Sequence, residues 1–170
     1  ARDSMATVSN ITVFSEDFLK QYFGPDWTPS QGALPVYTNY RQLINVNGWC
    51  LCVYADGTVG GTKNKQDCHT IMELKSTSVA QLRIKGVFAG IYLCMNSRGK
   101  LFAKKDATDR GTLFIESVQE GFSTFLNCRF SRLGYFIGIK KNGSIKSGVM
   151  TRKGQNAVCF LPVDVEIRCG

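Results

Sequence analysis

Apolar and polar positions alternate in short runs through most of this chain, and the alternation recurs three times. Leu51, Val53 and Val59 hold the places in the first copy that Leu93, Met95 and Leu101 hold in the second and Ile137, Ile139 and Ile145 in the third. A period of two puts each trio on one face of a β-hairpin. Two glycines frame each copy nine positions apart: Gly48 and Gly57, Gly90 and Gly99, Gly134 and Gly143. Successive turn glycines lie 42 and then 44 residues apart, a spacing that marks a repeated supersecondary unit. Asp56-Gly57 and Asn142-Gly143 are strong short-turn pairs, so the unit is a hairpin. The nine aliphatic or thioether side chains converge on one axis, and each contributes roughly 1.5–3 kcal/mol when fully buried.

Further short strands are predicted at residues 71–74, 81–84, 113–116, 122–130 and 157–161, which makes about four per repeat. No long helix has room beyond residue 40. The expected fold is all-β, a β-trefoil: three hairpin units around a pseudo-threefold barrel, closed so that few strand edges are exposed. Residues 1–40 differ and are expected to form an arm on the 41–170 body or on a partner. A short helix is predicted at residues 15–23, with Ser15 as cap, Glu16 and Asp17 at its positive end, and Phe14 and Leu19 positioned as a hydrophobic staple. Gly24-Pro25 ends it, and Pro25, Pro29 and Pro35 extend the connector.

Charge adds a direction to this picture. The net charge is +8, and from Gly121 to Val163 there is no Asp or Glu. That stretch carries Arg129, Arg132, Lys140, Lys141, Lys146, Arg152 and Lys153. A one-sided positive field favours a polyanion such as a nucleic acid, an acidic membrane or a sulfated polysaccharide. Aromatic residues do not interleave with the basic run as stacking platforms, which disfavours nucleic acid. No apolar run approaches the ~18 residues of a membrane span, so no membrane insertion is expected. The chain starts at Ala1 without a methionine, as expected of a processed secreted protein or a trimmed chain.

Candidate chemistry is sparse. The seven cysteines show no metal-ligand spacing and read as small buried thiols, with at least one unpaired in a monomer. His69 is the sole histidine, and no nucleophile elbow, metal-binding His pair or phosphate loop accompanies it, so neither an enzyme nor a cofactor is expected. Asn10-Ile-Thr12 and Asn142-Gly-Ser144 are glycosylation sequons. Asn142 is expected to stay unmodified, because a glycan there would cover the basic surface.

Three motifs in order carry a family resemblance. They are Asp56-Gly-Thr-Val-Gly-Gly-Thr-Lys63 with Asp67-Cys-His69; Ile84-Lys-Gly-Val87 with Tyr92-Leu-Cys-Met-Asn96 and Gly99-Lys-Leu-Phe-Ala103; and Gly138-Ile-Lys-Lys-Asn-Gly-Ser144 with Lys146, Gly148 and Gly154-Gln-Asn-Ala-Val-Cys-Phe-Leu-Pro162. Over about residues 41–163 the chain resembles the fibroblast growth factors. The resemblance implies a secreted, extracellular signalling ligand and mitogen. Such a ligand binds heparan sulfate or heparin and activates a receptor tyrosine kinase by bringing two ectodomains together. The heparin-binding residues it implies are Asn47, Lys140, Lys141, Asn142, Lys146, Gln155, Asn156 and Ala157, with Arg152 and Lys153 in the same loop. The receptor-binding residues it implies are Ile44, Phe122, Leu161 and Val163 as an apolar patch, flanked by Lys63 and Glu120.

The chain departs from the family pattern in places. Gly111 stands near a common cysteine, with one extra residue beside it. Ile44 and Phe122 stand where tyrosines are common, removing two hydroxyls from the receptor-facing surface. Asn156, Met150 and Ser147 replace residues that are often basic, so heparin binding is expected to be weaker than in the most basic members. Two other classes stay open. One is an intracellular homologous factor that binds ion-channel tails. The other is a trefoil lectin or inhibitor, although neither Trp27 nor Trp49 shows the Gln-x-Trp element common in trefoil lectins.

Overall fold

The computed structural model describes residues 11–28 and 39–168. Asn10, Pro29, Pro35 and Cys169 lie outside the described residues. In chain order the elements are β1 (Ile11–Ser15), α1 (Glu16–Phe23), β2 (Tyr40–Asn45), β3 (Cys50–Val53), β4 (Val59–Thr62), β5 (Ile71–Ser78), β6 (Gln81–Gly86), β7 (Ile91–Met95), β8 (Leu101–Lys104), β9 (Phe114–Gln119), β10 (Phe122–Asn127), β11 (Gly138–Ile139), β12 (Ile145–Lys146) and β13 (Phe160–Arg168).

Strands β2, β5, β6, β9, β10 and β13 hydrogen-bond in that order, and β13 pairs back onto β2, closing a six-stranded barrel. The hairpins β3–β4, β7–β8 and β11–β12 carry the three glycine-framed motifs. Each repeat therefore contributes four strands, which is the β-trefoil expected from the sequence. All six framing glycines have positive φ, between +71° and +91°. A side chain is strained there, and this explains why glycine recurs at both ends of the motif. The turns are also linked to one another. The Gly57 carbonyl accepts from Ala103 N–H at 2.8 Å, and the Gly99 carbonyl accepts from Gly148 N–H at 2.7 Å.

The nine converging side chains meet as predicted. Leu51, Val53, Leu93, Met95, Leu101, Ile137 and Ile139 are buried in the central cluster, with Val59 and Ile145 packed against it. The strand alternation adds Leu43, Met72, Ile84, Phe114, Phe125 and Phe160 from the barrel wall.

A second cluster lies outside this core. Phe14, Leu19, Cys68, Ile71 and Val165 are buried together, with Phe18, Trp27, Tyr40 and Val87 against them. The arm builds it. Ser15 caps α1 by accepting from Phe18 N–H at 3.2 Å, and Gly24 closes the helix through a 2.9 Å bond to the Lys20 carbonyl. Both staple residues, Phe14 and Leu19, fall in this cluster.

Strands β5, β6 and β9 run on to Ser78, Gly86 and Gln119, past their predicted ends, and three further boundaries differ from the sequence reading. Residues 11–15 form a strand that pairs in parallel with 164–168, so the last strand runs to Arg168 and not to residue 161. Residues 156–158 form a 3-10 turn before that strand. The strand read as 122–130 ends at Asn127. There the side-chain amide donates to the Gly111 carbonyl at 2.9 Å and the side-chain oxygen accepts from Phe130 N–H, so the chain turns away. Periodicity alone cannot report a side chain that bonds a distant turn.

Candidate functional site

The acid-free stretch folds into one rim made of the β11–β12 turn and the loop of residues 147–159. The turn is shaped by Asn142, whose side-chain oxygen accepts from Ser144 N–H at 3.1 Å and Ser144 hydroxyl at 2.7 Å. Lys140, Lys141 and Asn142 are exposed on it. Two 3-10 turns, Gly148–Met150 and Asn156–Val158, shape the loop, with exposed Arg152 and Lys153 between them. Gln155 joins the two pieces. Its Oε1 accepts from Arg152 N–H at 3.0 Å and from Lys146 Nζ at 3.3 Å. Its amide donates to the Met150 carbonyl at 3.4 Å.

Among the described residues, no carboxylate lies within ion-pair distance of Lys140, Lys141, Lys146, Arg152 or Lys153. These five cations keep their charge uncompensated. Ammonium and guanidinium groups with amides between them form the donor set that sulfate or carboxylate groups on a polymer require.

Two residues that the sequence reading passed over hold this rim in place. Asn45, buried at the end of β2, donates to the Ala157 carbonyl at 2.7 Å and the Asn156 carbonyl at 3.4 Å. Its side-chain oxygen accepts from Asn47 N–H at 2.9 Å, which sets Asn47 beside the same loop. Asn127 plays the matching part at the end of β10. The equivalence is hidden in the sequence because Asn45 precedes its framing glycine by three residues and Asn127 by seven. Trp49 is the other. Its indole N–H donates to the Lys141 carbonyl at 3.0 Å, 92 residues away. A Cβ on Gly143 would meet the Trp49 ring at 2.6 Å, so only glycine lets the turn lie against the indole. The Lys63 ammonium stands 5.0 Å from the centroid of the Trp49 ring. Lys63 thus lies beside the third-repeat turn, on an aromatic support the sequence reading did not connect with it.

The apolar candidates are only partly assembled. Ile44 and Leu161 are register partners across β2 and β13, and both are half-buried. Phe122 sits next to the Ser123–Phe160 pair that joins β10 to β13, so it borders Leu161. Val163 is 4% exposed and presents no side chain at the surface; its register partner Gln42 is buried too. Glu120 is exposed at the two-residue β9–β10 turn, where Glu120 and Gly121 both take positive φ, as such a turn requires. A groove of about 570 Å³ is lined by Val46, Glu120, Phe122, Gly154, Asn156 and Cys159. It brings candidates of the apolar patch and of the basic rim to one concavity.

The four buried thiols are quiet. Cys50, Cys52, Cys68 and Cys94 are free and buried, while Cys128 and Cys159 are free and half-buried. Burial pushes Cys50 and Cys94 up to about 11, and burial reinforced by the nearby Asp67 carboxylate pushes Cys68 up to about 12. Such thiols are poor nucleophiles at neutral pH. Gly111 stands against Cys94: a Cβ there would lie 2.7 Å from the Met95 carbonyl oxygen and 2.9 Å from Cys94 Sγ. The departure from the family pattern at Gly111 is therefore matched to its packing.

Comparison with known proteins agrees with this architecture. The fibroblast growth factor family model matches residues 39–161. Three curated proteins with fibroblast growth factor 1 names are similar over most of their length. The one from Danio rerio is 37% identical over 132 residues, 76% of this chain and 88% of that protein. The one from Xenopus laevis is 33% identical over 136 residues, 77% and 86% respectively. The one from Notophthalmus viridescens is 35% identical over 119 residues, 69% and 89%.

Proposed function

Because the chain belongs to the fibroblast growth factor family, we propose that it is a secreted ligand that binds heparan sulfate and activates a receptor tyrosine kinase by promoting ectodomain dimerisation. One observation carries the reading: five uncompensated cations gathered on a rim whose backbone is fixed by Asn45, Trp49 and Gln155. A rim fixed before binding loses little conformational freedom when the polymer arrives. A heparan chain holding two such ligands raises the effective concentration of each receptor for the other. The half-buried pair Ile44 and Leu161, with Phe122 beside them, offers the apolar anchor a receptor domain needs, and Glu120 supplies a polar rim.

Replacing Lys141 and Lys146 together by alanine tests the rim. The double variant is expected to elute from heparin at clearly lower salt with unchanged thermal unfolding. Unchanged elution would refute the assignment.

The six free thiols among the described residues favour a second reading, since secreted domains of this size often carry disulfides. On that reading the chain is an intracellular homologous factor that binds ion-channel tails. Binding to a panel of receptor ectodomains, with and without heparin, separates the two: the first reading requires heparin-enhanced receptor binding, and the second requires none.

A further inference from the structure

A second group of cations lies on the second repeat, on strands that take no part in the third-repeat rim. Register sets it out across the sheet. Glu73 faces Lys85, Lys85 faces Tyr92 and Tyr92 faces Lys104, while Lys75 faces Arg83 one step along. Neighbouring strands lie about 4.8 Å apart, so these side chains reach one another. Residues 74–105 contain no Asp or Glu.

Tyr92 organises the group. The Lys75 ammonium lies 5.7 Å from the centroid of its ring and the Lys85 ammonium 5.8 Å. Lys75 Nζ also donates to the Tyr92 hydroxyl at 3.3 Å, which leaves the hydroxyl its own proton to donate. Arg83 Nε donates at 2.9 Å to the hydroxyl of Thr112, a buried residue, and this bond fixes the guanidinium plane. Carboxylates stand only at the margins: Glu73 lies 3.6 Å from Lys75, and Asp109 lies 2.8 Å from Lys104. Among the described residues, no carboxylate lies within ion-pair distance of Arg83 or Lys85.

We propose that Arg83 and Lys85, with Lys75 and the Tyr92 hydroxyl, form a second anion site that takes a sulfated polysaccharide and makes the protein bivalent for that polymer. The choice of polymer rests on the proposed function, whereas the site rests on its own geometry. A fixed guanidinium presents a fork to a sulfate, and the ammonium groups beside it add charge-assisted bonds. The half-exposed positions along β6 are Gln81, Arg83 and Lys85, which offer a protein partner no apolar anchor. The Tyr92 ring already carries two ammonium groups, so it is a poor stacking platform for a base. Two sites on one protein can hold two polymer chains, or two stretches of one chain, and the second contact then gains from effective concentration.

Calorimetric titration of the full chain with a heparin hexasaccharide at low salt tests this. The wild type is expected to bind two equivalents, a tighter one at the third-repeat rim and a weaker one here. The variant carrying Lys75→Gln and Lys85→Gln should keep the tighter event and its thermal unfolding, and lose the weaker event. Arg83→Lys is an independent variant that keeps the charge and loses the fork, and should weaken the second event about fivefold. A single equivalent for the wild type would overturn the proposal. So would two equivalents in the lysine double variant, or an unchanged second event in Arg83→Lys, since the charge would then act as a diffuse field. Poly-glutamate competing with the hexasaccharide for the second event alone would assign the face to an acidic protein segment and overturn the choice of polymer. An unaltered tighter event in the Lys141 and Lys146 double variant would count against the proposed function and, with the second event still dependent on Lys75 and Lys85, leave this inference standing.

Discussion

The second and third repeats share a backbone and differ in what they do with charge. Each carries a 3-10 turn before its last strand, Arg110–Thr112 in one and Asn156–Val158 in the other. In the second repeat the residue ahead of the turn is Asp109, which accepts from Gly111 N–H at 2.8 Å and pairs with Lys104 at 2.8 Å and Arg129 at 3.9 Å. In the third repeat it is Gln155, which accepts from the backbone N–H of Arg152 and from Lys146 Nζ without cancelling the lysine's charge. One carboxylate neutralises its neighbourhood, and one amide orders the same place while leaving it positive. A binding rim can thus arise on a structural repeat without a change of fold.

The first way to probe the comparison attacks what the repeats share. Gly99 and Gly143 are equivalent turn glycines with φ of +76° and +89°. A Cβ would meet the Val149 backbone nitrogen at 2.7 Å in one and the Trp49 ring at 2.6 Å in the other. Gly90 and Gly134 have positive φ too, with no atom within 4 Å. Alanine at Gly99 or Gly143 is expected to cost ~2–4 kcal/mol, and at Gly90 or Gly134 ~1–2 kcal/mol, in urea unfolding. The change at Gly99 should be the costlier of the first pair, because backbone cannot move aside as a ring can. A reversed ranking would break the equivalence.

The second probe attacks the difference through pH. The hydrogen bond and ion pair from Lys104, then the Gly111 N–H, hold the Asp109 carboxyl below the usual carboxylate range. A carboxyl lowered on folding contributes stability at pH above its unfolded value, and that stability is lost as pH falls through the lowered folded value. The wild type should therefore lose stability on acidification more steeply than Asp109→Asn. Gln155→Ala should leave the slope unchanged, since an amide does not titrate. Urea unfolding at a series of pH values reads both.

The smallest effect sharpens the contrast. Gln155→Glu places a carboxylate 3.3 Å from Lys146 Nζ and makes the third repeat resemble the second. Elution from heparin is expected at modestly lower salt, less shifted than in the Lys141 and Lys146 double variant. Elution at or above the wild-type salt would mean that Gln155 does not tune the charge of the rim.

The threefold barrel, the three hairpins, the cap of α1 and the basic character of the third repeat were legible in the chain, because each follows from local spacing: period two, paired glycines, a serine ahead of a helix, a stretch without acids. Position in space was not local. Asn45 and Trp49 hold the rim through bonds to residues 112 and 92 positions away. No window of sequence contains both partners of such a bond. Val163 fits the strand pattern as well as Leu161 does, yet only the folded molecule leaves one half-exposed and buries the other. The arm strand β1 escaped for the same reason, since its pairing with β13 joins the two ends of the chain. Sequence fixes what each short segment can become, whereas closure of the barrel decides which side chains meet and which remain at the surface.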